Sequence, residues 1–112
     1  MNKRMATTGW TIEAWQQAYR SAGESPERLL GALLGSLNPK DPAWISLITP
    51  AQLDEQLARL AANPDAKALP LYGIPFAVKD NIDVAGLPTT AACAEFAYRP
   101  AQDAQVVARL KA

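Results

Sequence analysis

The chain has 112 residues, 49% of them apolar, and its eleven basic and eleven acidic side chains cancel to zero net charge. That composition suits one small domain, offers no membrane-spanning run, and leaves no basic patch for nucleic acid. Histidine is absent, so neither a Ser-His-Asp or Cys-His set nor a histidine zinc site can be built from this chain alone.

Residues 1–10 are expected to form a flexible N-terminus, disordered or loosely docked, with residues 11–112 as the structured part. Met1-Asn2-Lys3-Arg4-Met5 runs into Ala6-Thr7-Thr8 rather than an apolar stretch, so no secretory leader is expected. A first helix is predicted over Ile12–Arg20, capped by Thr11, with Ile12, Trp15 and Tyr19 on one face. Ser25-Pro26-Glu27 starts a second helix, serine as cap and proline at the first helical position. Its apolar stripe is Leu29, Leu30, Leu33, Leu34 and Leu37, and Asn38–Pro42 ends it. Trp44–Ile48 reads as a strand. Thr49-Pro50 opens a third helix, where Gln52 completes a capping box and Leu53, Leu57 and Leu60 form the buried stripe. Asn63-Pro64-Asp65 stops it.

A second strand is predicted over Ile74–Lys79, followed by a long loop through Gly86-Leu87-Pro88. Asp103 is expected to cap a last helix holding Val106, Val107 and Leu110. Two strands need neighbours to make a stable sheet, and the last helix is too short to hold alone. The fold class is therefore α/β: N-terminal helices and the first strands of a mixed sheet that is incomplete in this chain. The polypeptide is expected to continue beyond Ala112.

Lys79 is the candidate catalytic residue. Alternation puts Ile74, Phe76 and Val78 on one bulky face and Pro75, Ala77 and Lys79 on the other. Lys79 then stands at the C-terminal end of a strand, where ligand sites of open α/β sheets gather. A solvated strand-end lysine is the plain alternative. A lysine serves as a base only when neutral, so the fold must take it out of water. Asp80 or Asp83 facing the amine would favour its charged form, so both are expected to point elsewhere and to satisfy turn amides. Thr89 and Thr90 either bond a substrate or steady the loop. Cys93, the sole cysteine, reads as a small packing residue; with no internal disulfide possible, a reducing, cytoplasmic setting is expected. Trp10, Trp15 and Trp44 read as core or subunit contacts.

Leu71–Thr90 closely resembles the lysine motif of amidase-signature hydrolases. Within that family, Pro-Phe-Ala-Val-Lys-Asp-Asn-Ile-Asp, Thr89–Cys93 and Phe96-Ala97-Tyr98 are most similar to allophanate hydrolases. Ala94-Glu95 departs from that pattern, which has proline and a small residue there. The resemblance implies a serine nucleophile, a bridging serine on a cis peptide bond, and Lys79 as the lysine that relays the proton. Both serines would lie in later Gly/Ser-rich segments; residues 80–112 contain no serine. The implied reaction is hydrolysis of allophanate to ammonia and carbon dioxide, without cofactor or metal. The implied partners are a small amide or carbamoyl substrate and, in the full-length protein, a second copy of itself; no nucleic acid and no membrane is expected. Another amidase-signature enzyme, such as a general amidase or the amidase component of a glutamyl-tRNA amidotransferase, stays open. So does a non-catalytic packing module.

Overall fold

The computed structural model describes residues 7–112. The elements are α1 (Ile12–Arg20), α2 (Pro26–Ser36), α3 (Pro50–Ala62), a 3-10 turn (Ala66–Ala68) and α4 (Gln105–Lys111). The chain divides into two compact units. One takes in the chain up to Leu37 together with Thr49–Pro75; the other takes in Asn38–Ile48 and Phe76–Ala112.

Caps set the helix starts in the first unit. The Thr11, Ser25 and Thr49 hydroxyls accept from the N–H groups of Ala14, Arg28 and Gln52. The Gln52 side chain returns the bond by accepting the Thr49 N–H at 2.9 Å, so the capping box is complete. Each such bond satisfies a backbone donor that the helix leaves unpaired. The core of this unit is Trp15, Ala18 and Leu29, with Trp10, Tyr19, Leu30, Leu33 and Ile74 packed around it. Leu29 is 1% exposed; full burial of a leucine stabilises by about 1.5–3 kcal/mol. α2 also packs on α3, which buries Leu53 and Leu57.

Two expectations change here. Ile12 is 54% exposed, so the buried face of α1 is Trp15, Ala18 and Tyr19 rather than one beginning at Ile12. Of the N-terminal ten residues expected to be flexible, 1–6 lie outside the described residues. Thr7 is buried, its carbonyl accepts the Trp10 N–H at 3.0 Å, and the Trp10 ring meets Trp15 edge-on at 5.2 Å. Residues 7–10 are thus docked.

The second change concerns the sheet. Among the described residues neither Trp44–Ile48 nor Ile74–Lys79 joins a ladder; the sole bridge is the antiparallel pair Thr89 and Tyr98. A strand exists through bonds to a neighbour, and neither run meets one. Trp44 instead closes a turn in which its N–H bonds the Asp41 carbonyl at 3.0 Å. Phe76, expected on a core face, is 43% exposed for the same reason: no second layer covers it among the described residues. No helix among them is long and apolar enough to cross a membrane.

Candidate functional site

The second unit is organised by loop carboxylates. After Lys79 the chain turns, and the Ile82 N–H bonds the Lys79 carbonyl at 3.0 Å. Asp80 reaches across the loop to residues 90–92. Its carboxylate accepts the Thr90 N–H at 3.0 Å, the Thr90 hydroxyl, and the Ala92 N–H at 3.3 Å. The Asp80 carbonyl accepts the Ala91 N–H at 3.1 Å. Ala91 and Ala92 have φ of 51° and 60°, left-handed values that cost a non-glycine residue about 1–2 kcal/mol. This conformation turns their N–H groups onto Asp80.

Asp83 makes a second anchor. It accepts the Thr89 hydroxyl at 2.9 Å and the Tyr98 hydroxyl. Thr89 and Tyr98 also exchange both backbone bonds, at 2.8 and 3.0 Å. The hydrogen bond to Asp83 holds the Tyr98 phenol above its ordinary range. Asp103 is the third. It accepts the Ala85 N–H at 2.7 Å and the Lys111 ammonium at 3.1 Å.

Asp103 is therefore not the cap of α4. The cap position is Ala104, without a side-chain bond, and the helix runs for seven residues. A carboxylate already holding a distant amide and an ammonium has its geometry set by them. Cys93 is also corrected: it is exposed rather than packed. It lies in the tight turn where its N–H bonds the Thr90 carbonyl at 2.8 Å.

Asp80 and Asp83 both point at loop donors, and both threonine hydroxyls steady the loop. Lys79 is exposed and forms no ion pair among the described residues. The apolar shell that a neutral lysine needs is not furnished by these residues. Sequence reasoning missed the pairing of Asp80 with Thr90 and of Asp83 with Tyr98, which span ten and fifteen residues of loop. No periodicity marks such pairs.

The Thr90 hydroxyl, and then the loop amides, hold the Asp80 carboxyl below the ordinary carboxylate range. The folded value lies below the unfolded one, so this contribution is complete above about pH 3.9 and is lost as pH falls through the lowered value. The Thr90 and Ala92 amide resonances should titrate with a midpoint below about 3.9. They should stop doing so in Asp80→Asn. A midpoint at or above the free-aspartate value would contradict the network.

The first unit has one notable cleft, of about 290 Å³, lined by Gln16, Arg20, Lys67 and Tyr72 among others. Its walls carry Lys67, Tyr19 and Tyr72 but no carboxylate, thiol or serine.

The amidase family profile matches residues 28–112, so this chain belongs to the amidase family. It is 50% identical over 106 residues to urea amidolyase of Saccharomyces cerevisiae, covering 92% of this chain and 6% of that protein. It is 37% identical over 95 residues to the A subunit of glutamyl-tRNA(Gln) amidotransferase from Lawsonia intracellularis, covering 81% of this chain and 19% of the relative. Among solved structures it resembles allophanate hydrolase of Kluyveromyces lactis, with a TM-score of 0.86 and 44% identity over 95% of this chain and 18% of that one. The chain thus shares the fold of the corresponding part of that hydrolase and spans a small share of the length of each relative.

Proposed function

We propose that this chain is the lysine-bearing portion of an amidohydrolase that converts allophanate to ammonia and carbon dioxide. Lys79 takes the proton of a serine nucleophile through a bridging serine and then returns it to the leaving amine. The serines and the oxyanion hole belong to polypeptide beyond these 112 residues. The observation that carries this reading is the 44% identity to the allophanate hydrolase of Kluyveromyces lactis at a TM-score of 0.86. The motif centred on Lys79, fastened on its C-terminal side through Asp80, agrees with it. Identity to the amidotransferase relative is lower, at 37%, which favours the allophanate reading over that one. A cytoplasmic location and a homodimer of the full-length protein go with it.

The 112-residue chain alone should hydrolyse no amide, since its residues supply the base and not the nucleophile pair. The check is ammonia release from allophanate by purified chain whose mass excludes longer species. Release above background would sink the division of labour proposed here.

A further inference from the structure

Lys79 and Asp80 are chain neighbours of opposite charge. An ion pair between them would favour the protonated amine, the form that cannot act as a base. The structure shows that pair unmade. The Asp80 carboxylate is taken by the Thr90 hydroxyl, the Thr90 N–H and the Ala92 N–H, and among the described residues no ion pair reaches Lys79. The donors come from a turn whose two alanines sit at positive φ, so the turn is shaped to deliver them. The other carboxylates of this unit are occupied or apart. Asp83 is bound by Thr89 and Tyr98, Asp103 by Lys111 and the Ala85 N–H, and Asp41 accepts the Ala43 N–H at 2.9 Å. Among the described residues neither they nor Glu95 form an ion pair with Lys79, and the cations Lys40, Arg99 and Arg109 form none there either.

We propose that Thr90 is a positioning residue that, with the Ala92 N–H, holds the Asp80 carboxylate off its neighbour Lys79 and so keeps the amine free to accept a proton. The inference rests on the reading of Lys79 as the base. Thr90 touches neither the substrate nor the amine; it acts through Asp80. Valine at position 90 removes the hydroxyl at nearly equal volume and leaves the Asp80 Oδ2 atom held by the Ala92 N–H at 3.3 Å alone, loose enough to swing toward Lys79.

The test is the pH dependence of kcat/KM for allophanate in the complete amidase polypeptide, where the midpoint of the acid limb is read rather than the plateau. Thr90→Val should move that midpoint about one unit to higher pH, the scale expected of a new close carboxylate. Below the limb the rate should fall about tenfold. Thr90→Ser, which retains the hydroxyl, should keep the wild-type midpoint. Asp80→Asn/Thr90→Val should return it, because no carboxylate remains to pair. Asp80→Asn alone should leave it in place, because the wild-type carboxylate is already held away. Thr90→Ala replaces the valine variant if that one does not fold. A midpoint unmoved by loss of the hydroxyl would overturn the proposal. So would one shifted equally in the double variant, or one that drops in Asp80→Asn. Should Lys79→Ala remain active, the base reading itself fails; a dead Lys79→Ala beside an unmoved Thr90→Val limb removes only the role of Thr90.

Discussion

Lys79→Ala and Lys79→Met in the complete amidase polypeptide should abolish turnover of allophanate while the fold survives. Lys79 is exposed and its side chain carries no ion pair among the described residues, so truncation removes little packing here. The loss would therefore be chemical. Removal of general acid–base work costs roughly 10²–10⁴-fold, and the coupled loss of nucleophile activation adds to it. Lys79→Arg should fail as well, because a guanidinium stays protonated at any working pH. Lys40→Ala and Lys67→Ala are the controls; both side chains are exposed and neither forms an ion pair among the described residues. Lys111 is a poorer control, since its ammonium holds Asp103 at 3.1 Å. Steady-state rates with circular dichroism of each variant make the comparison. Arginine within about tenfold of wild type would make Lys79 an electrostatic or structural residue, since simple loss of a general base exceeds that.

Gly73→Ala should be the most damaging single-methyl change in the first unit. Gly73 has φ of +67°, and a Cβ there would lie 2.7–2.9 Å from the Tyr19 ring and hydroxyl. That ring has no easy retreat. Its hydroxyl donates to the Gly73 carbonyl at 2.5 Å, and the ring itself meets Trp15 and Tyr72. The left-handed backbone costs an L-residue about 1–2 kcal/mol and overpacking about 1–3 kcal/mol, so a loss of about 2–5 kcal/mol is expected. Denaturant unfolding should show a lower midpoint at an unchanged slope. Tyr19→Phe, which loses one hydrogen bond, should cost about 1 kcal/mol. Gly73→Ala within about 0.5 kcal/mol of wild type, the range of a neutral surface change, would contradict this packing. Burial raises the Tyr19 phenol above its ordinary range. Its contribution is therefore complete below the ordinary tyrosine value and is lost as pH rises through the raised one.

What could be read from the chain was what is decided within a few residues. Thr11, Ser25, Thr49 and Gln52 are cap residues whose partners lie three positions away, and all three helices begin where they indicate. Strands are decided elsewhere. Trp44–Ile48 and Ile74–Lys79 have strand composition, yet a ladder depends on partners that the local pattern does not name. Asp103 fits an N-cap by position, but the Ala85 amide, eighteen residues earlier, and Lys111 claim its carboxylate. At the site, Lys79 was visible as a charge ending an apolar run. That Asp80 and Asp83 point away from it was expected of a lysine meant to act as a base, since a paired carboxylate would favour the charged amine. Which donors hold them was not legible, because Thr90 and Tyr98 reach them through loop geometry. The Tyr19–Gly73 contact spans 54 residues and left no local mark beyond the glycine itself.

Ammonia release from allophanate by the complete amidase polypeptide, with Lys79→Arg measured in parallel, tests the proposed function most directly. The wild type should release ammonia from allophanate, and the folded arginine variant should release none above background. A wild type that turns over glutamine or a simple amide but leaves allophanate untouched would contradict the assigned substrate, and an active arginine variant would contradict the assigned base.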